Sequence, residues 1–344
     1  MPSTRPTTPS TSHVGRRTPI LALALMSLLV PLVTVLIGPA ANEAAAGVTS
    51  RPPRSEGYFV TRKVGAWRSL PSGPTCAGRI RKSTWEPRPD NYVPNHTMPW
   101  PARVHEAFRL RPVAIGGAYT KRWDSWLLQR VSGRFTGRTD EIFQWAACKW
   151  GISDNVLRAV AVRESTWYQY EVYPSGRCVS YFGCGDFVDE PDADTQVYCD
   201  FVDSRGRDYQ ADYGPGRCPK TFGITGVMSW QAPSWGKMPH NQNGTFPFNR
   251  KSTAFAVDYL ASQLRGCYEG WQRWLDTTGT RTYAPGKLWG CVGAWYAGEW
   301  RTPAANHYSS LVRREMLART WLKPGWPRDR PGCSETHGCP EGST

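Results

Sequence analysis

One stretch of the chain, Ser153 to Trp167, has the residues for proton chemistry, and its centre is Glu164, directly followed by Ser165. Leu157, Val160 and Ala161 recur at i, i+3 and i+4, and Glu164 falls at i+7 from Leu157. A helix here would carry the carboxylate on its apolar face. Apolar surroundings disfavour the ionised form and raise a carboxyl pKa, which keeps a proton available for donation near neutral pH. A glutamate tilted to solvent, or paired with Arg163, would do none of this. The helix alone leaves both readings open.

The elements that must position this acid are helical. Gly151 closes the preceding segment, Ser153 is expected to cap the new helix, and Asp154 places negative charge in its first turn. Upstream, Thr139 is expected to cap a helix whose stripe, Ile142, Phe143, Ala146 and Trp150, ends at Gly151. Downstream, Ser252 or Thr253 opens a helix bearing Phe255, Leu260 and Leu264 that is expected to end at Gly266. Leu288 to Ala297 reads as another helix. Thr302-Pro303 starts the last long one, through Leu311, Val312 and Met316 to about Trp321. Tyr296 and Tyr308 lie on these last two and are hydrogen-bonding candidates, although each taken alone would pass for a core tyrosine. Between the two helical groups, Gly223 and Gly226 permit unusual φ and a close backbone approach to a ligand, or simply make a turn.

Three stretches taken in order carry a resemblance. Glu164-Ser165 followed by Trp167 resembles the Glu-Ser-x-aromatic motif of the lytic transglycosylases, which share a catalytic core with goose-type lysozyme. Thr221 to Met228 resembles the family's Gly-x-x-Gly-Leu-Met-Gln stretch, and Cys291 to Gly298 its Ala-Tyr-Asn-Ala-Gly stretch. Tyr308 and Val312 fall on a helix like the family's closing one. The resemblance covers roughly residues 138–322. It implies a lysozyme-like fold and a peptidoglycan substrate, with Glu164 as the single general acid and base and neither metal nor organic cofactor. It also implies Met228 in the groove floor, Tyr296 and Tyr308 beside Glu164 or the substrate's N-acetyl group, and Ser165 fixing the local backbone. Trp167, Trp230 and Trp295, next to the motifs, are the tryptophans expected to touch sugar. Two departures alter the sugar contacts: Ser229 stands where the family has Gln, and Trp295-Tyr296 stands for Tyr-Asn.

The span 169–219 is far longer than the family's crossing between the same motifs. Cys178-Val-Ser-Tyr-Phe and Gln196-Val-Tyr-Cys-Asp-Phe-Val alternate as short strands do, so the span reads as a disulfide-braced insertion of β-hairpin character. Its acids, from Asp186 to Asp212, admit a second catalytic carboxylate, a calcium loop or plain solvated loop acids. Asp189 to Asp194 lacks the glycine and terminal Glu of an EF-hand.

All ten cysteines lie beyond residue 46, an even number that reads as disulfides of an oxidising compartment. Cys267 with Cys291, and Cys333 with Cys339, are the expected pairs. No Cys-x-x-Cys or His-Glu-x-x-His spacing supports a metal site.

Arg5, Arg16 and Arg17 precede an apolar run from Ile20 to Ile37, and Ala44-Ala45-Ala46 offers a cleavage site. Residues 1–46 are therefore expected to be a signal peptide, with an uncleaved anchor as the alternative. The chain carries a formal +14, and the part beyond residue 46 keeps +12, with 39 basic against 27 acidic residues. That charge suits anionic wall polymers. No nucleic-acid-binding pattern accompanies it. The expected protein is secreted and wall-associated, binds peptidoglycan glycan strands and keeps no membrane span after cleavage. Residues 47–137, irregular and Pro-rich between Pro87 and Pro101, are either an arm on the core or a small wall-binding module. Residues 138–325 form the catalytic domain, and 326–344 a Pro/Gly-rich tail. The expected fold class is mainly α (α+β): a lysozyme-like core with the insertion and the irregular N-terminal region added. The rival functions are a lysozyme-type hydrolase that uses an insertion Asp, and a non-catalytic cell-wall-binding protein.

Overall fold

Helical periodicity dominates the chain from residue 139 onward, and the computed structural model is mainly helical, with one two-stranded sheet among the described residues. It describes residues 57–82, 84–110, 118–169, 187–188, 193–205, 208–229, 243–324 and 326. In chain order the helices are α1 (Gly73–Ala77), α2 (Tyr92–Asn95), α3 (Pro101–Leu110), α4 (Thr139–Trp150), α5 (Asp154–Ser165), α6 (Ala193–Asp203) and α7 (Tyr209–Tyr213). They continue with α8 (Phe248–Lys251), α9 (Thr253–Tyr268), α10 (Leu288–Ala297) and α11 (Pro303–Ala318). Strands β1 (Thr221–Phe222) and β2 (Val227–Met228) pair antiparallel, Thr221 opposite Met228. No helix among the described residues is long and apolar enough to cross a membrane.

The core is built round α9, in which every residue from Thr253 to Cys267 is buried. Helix α4 is buried along its whole length and packs on α9, while α11 packs on α5 and α10. Gly266 does not end α9, which runs on to Tyr268. A Cβ at Gly266 would strike the rings and methyls of Trp123 and Leu127, so this glycine serves close packing and not termination. The Cys267–Cys291 disulfide ties the end of α9 to α10, the pair expected from their places on two core helices.

Charged groups inside this core are paired or multiply bonded, as burial requires. Lys149 Nζ lies 2.6 Å from Asp258 Oδ2, and Asp258 also accepts from Trp150 Nε1 and from the amides of Ser132 and Gly133. Arg158, fully buried, reaches Asp140 and Asp154, each at 2.8 Å.

Residues 57–137 lie on this core along most of their length. Asp154 accepts the amides of Tyr58 and Phe59, so Tyr58-Phe59 is held by a side chain and makes no strand. Thr61 Oγ1 accepts the Ser153 amide, and Ser153 itself makes no capping bond. Arg265 donates to the carbonyls of Arg62 and Lys63, and Cys76–Cys148 bridges the region to α4. Thr139 is the first residue of α4 and not its cap. Its amide is received by Glu86 Oε2 at 2.8 Å, from a residue 53 positions away.

The insertion corrects the hairpin expectation. Residues 196–202 belong to α6, where Thr195, Tyr198, Cys199 and Val202 are buried at i, i+3, i+4 and i+7 while Val197 is half exposed. The same apolar residues fit period 2 and period 3.6, and the helical face is the one that packs. It forms a second, smaller core with Val188, Tyr209, Cys218, Phe222 and Phe246, closed by Cys199–Cys218. The leader, the tail, Cys178, Cys184, Cys333, Cys339 and Trp230 lie outside the described residues.

Candidate active site

Glu164 is the penultimate residue of α5 and is half-buried. The Tyr308 hydroxyl, from α11, donates to its Oε1. On the other side stands Gly226, whose missing side chain is what makes room: a Cβ there would collide with Glu164 Oε2. Gly226 has φ 62°, so both space and backbone demand glycine at that position. The Gly226 amide donates to the Gly223 carbonyl at 2.9 Å, closing a tight turn between β1 and β2.

Buried polar groups fix that turn. Ser165 Oγ donates to the Ile224 carbonyl at 2.8 Å, Gln169 Oε1 accepts the Ile224 amide at 3.1 Å, and Thr225 Oγ1 donates to the Ala256 carbonyl at 3.0 Å. Asn249 Nδ2 bonds the Val227 carbonyl and Ser229 Oγ. The chain thus aligns the glycine turn with the end of α5 through side-chain to backbone bonds and not through a sheet.

Tyr308 is buried. Burial, the adjacent Glu164 charge and their hydrogen bond all push its phenol well above the usual tyrosine range, so it remains a donor at any ordinary pH. The Tyr296 ring, well exposed, stacks on Tyr308 almost parallel, with centroids 4.6 Å apart. Met228 is the exposed residue of β2 and Val227 the buried one.

The expected site residues therefore divide. Glu164, Gly226, Tyr308 and Tyr296 come together, and Gly223 and Met228 belong to the same turn and hairpin. Ser165 is 1% exposed and Trp167 wholly buried, so neither offers surface to a ligand. Ser165 holds the turn. Trp167 packs among Trp85, Phe143, Trp321 and Trp326 and donates to the Arg158 carbonyl. Trp295 is half-buried, edge-on to Tyr259, and so faces the core side of α10. Sequence reading missed Gln169 and Asn249, which hold the turn. Gln169 follows shortly after Trp167, which is its one signal in the sequence, and Asn249 stands far from every motif and gives none. No group of metal-ligating side chains occurs among the described residues. Comparison with protein-family models, curated proteins and solved structures returns no match.

Proposed function

We propose that the chain is an exported peptidoglycan lytic transglycosylase, with the helices around α5 as its lysozyme-like catalytic core. One observation carries the reading. Three stretches distant in sequence, ending at Glu164, Gly226 and Tyr308, supply a half-buried carboxylate, a side-chain-free wall against one of its oxygens, and a phenol on the other. In this reading Glu164 gives its proton to the oxygen linking N-acetylmuramic acid to N-acetylglucosamine, and that bond breaks. The substrate's N-acetyl group helps stabilise the positive charge. Glu164, now a carboxylate, takes the proton from the muramic acid's own C6 hydroxyl, whose oxygen closes a 1,6-anhydro ring. No water is consumed.

A hydrolase of inverting type would need a second carboxylate ~6.5–9.5 Å from the first, holding a water between them. Three insertion acids are committed elsewhere. Asp203 accepts the amides of Tyr209 and Gln210, Asp208 accepts that of Ala211, and Asp200 takes the side-chain amides of Gln196 and Gln210. An intramolecular hydroxyl has a large effective concentration and requires no second protein group. Mass spectrometry of digested peptidoglycan tests the reading. Anhydro-muramic termini, one water lighter than hydrolysis products, are expected. Reducing muramic termini would make the enzyme a lysozyme, and an undigested wall would leave a wall-binding protein.

A further inference from the structure

Directly after Glu164-Ser165, two successive residues take left-handed backbone, Thr166 at φ 54° and Trp167 at φ 68°. Neither is glycine, and a β-branched and a bulky residue side by side in this region are costly, so the surroundings must hold them. The N-terminal arm makes much of that clamp. Arg88 Nε donates to the Thr166 carbonyl at 3.0 Å, and Nη1 to the Tyr168 hydroxyl at 2.7 Å. The guanidinium lies 3.8 Å from the centre of the Tyr168 ring. Asn91 Nδ2 donates to the Trp167 carbonyl at 2.7 Å, while its Oδ1 accepts the Gln169 amide at 2.9 Å. Both side chains are buried, Arg88 to 3% exposure and Asn91 to 1%. Gln169 carries the connection across the site. Its Oε1 receives the Ile224 amide and its Nε2 donates to the Asn249 carbonyl, so the glycine turn facing Glu164 hangs on the same segment.

We propose that Arg88 and Asn91 are positioning residues for Glu164. They belong to the arm and hold the strained turn that ends α5, which sets the carboxylate against Gly226 and Tyr308. The proposal rests on Glu164 being the catalytic acid. It gives the arm a part in the reaction without substrate contact. Misplacing an acid by a fraction of an ångström weakens proton transfer in the transition state while leaving the sugar contacts alone, so the loss belongs in kcat and not in KM.

The test uses the full chain and compares R88A, R88K, N91A and the double variant R88A/T166G with wild type and E164Q. In R88A and N91A, kcat on solubilised glycan strands should fall at least about tenfold with KM within about twofold. R88K keeps the charge and donors but not the planar fork that spans the two acceptors, and should fall less, at a melting temperature close to wild type. Glycine takes φ 54° freely, so T166G in the R88A background should recover at least half of the loss on a logarithmic scale, which a merely structural role for Arg88 would not produce. Hydrogen exchange gives a readout that needs no activity. The Thr166, Trp167 and Tyr168 amides should exchange faster in R88A, and in R88K if R88A fails to fold, while those of α9 do not. Wild-type kcat in R88A with E164Q inactive overturns the positioning role alone. Full activity in E164Q overturns the catalytic reading beneath it, and unchanged exchange at residues 166–168 overturns the clamp whatever the activity.

Discussion

Glu164 and Asp203 are both half-buried carboxylates in the last turn of a helix, where the dipole disfavours negative charge, yet their partners differ in kind. Asp203 accepts from three N–H groups: the Tyr209 amide at 2.9 Å, the Gln210 amide at 3.3 Å and Gln210 Nε2 at 2.9 Å. An N–H can only donate, so these three contacts use the Asp203 carboxylate purely as an acceptor and pin the end of α6 to the start of α7. Glu164 meets a phenol, which both donates and accepts. When Glu164 gains or loses a proton, the Tyr308 hydroxyl can turn without losing its bond. In the proposed reaction Glu164 changes protonation state twice per turnover, which calls for a partner of the second kind.

Breaking that contrast at Glu164 should have the largest effect. E164Q keeps the shape but has no proton to give, and wall-lytic activity should drop by about 10²–10⁴-fold at an unchanged melting temperature. A well-folded E164Q that clears a wall suspension at the wild-type rate would remove Glu164 from the chemistry. Y308F deletes only the adaptable partner. It should lower kcat by about ten- to a hundredfold, less than the roughly 10²–10³-fold loss when an oxyanion-hole donor is removed, and circular dichroism should be unaltered.

A third carboxylate lies between the two cases. Glu86 accepts the amides of Arg88 and Thr139, yet burial outweighs them and pushes its pKa from 4.5 up to about 7. The folded chain therefore holds this proton more tightly than the unfolded one. Its contribution to stability is complete below pH 4.5 and is lost as pH rises through about 7. The stability difference between wild type and E86Q should change across that window in thermal melts, and a constant difference would mean that Glu86 stays ionised throughout. D203N should matter least: under about threefold in kcat, with a stability loss of about 1–2 kcal/mol. A large fall in kcat at normal stability would bring the insertion into the reaction.

The helices that carry Glu164, Tyr296 and Tyr308 were legible because their apolar spacing is unambiguous and because Gly151, Thr302-Pro303 and Gly298 punctuate them in the usual ways. Ser252 also caps α9 as read. The insertion misled because Tyr198, Cys199 and Val202 satisfy either period, and only the packing partners decide between them. Thr139 misled as a cap for a different reason, and Ser153 holds the N-cap position of α5 as read but without the side-chain bond. A local rule cannot see Glu86 or Thr61, residues remote in sequence that take over the role. Buried Arg158 was equally invisible, since nothing local shows that Asp140 and Asp154 converge on it. In the site itself, the residues that face Glu164 were found, and so was Ser165 among those that hold them, while Gln169, Asn249 and Arg88 were not. Holding is done by tertiary contacts that leave no periodic trace.

The Cys76–Cys148 bridge has a consequence for survival among proteases. It closes a ring over a sequence separation of 72 residues, and that ring contains α2, α3 and all of α4 up to Cys148. A single cut anywhere in the ring produces two fragments that remain covalently joined. Such a nicked molecule runs as one band on a non-reducing gel and as two after reduction, with Arg88 and Glu164 still tethered to each other.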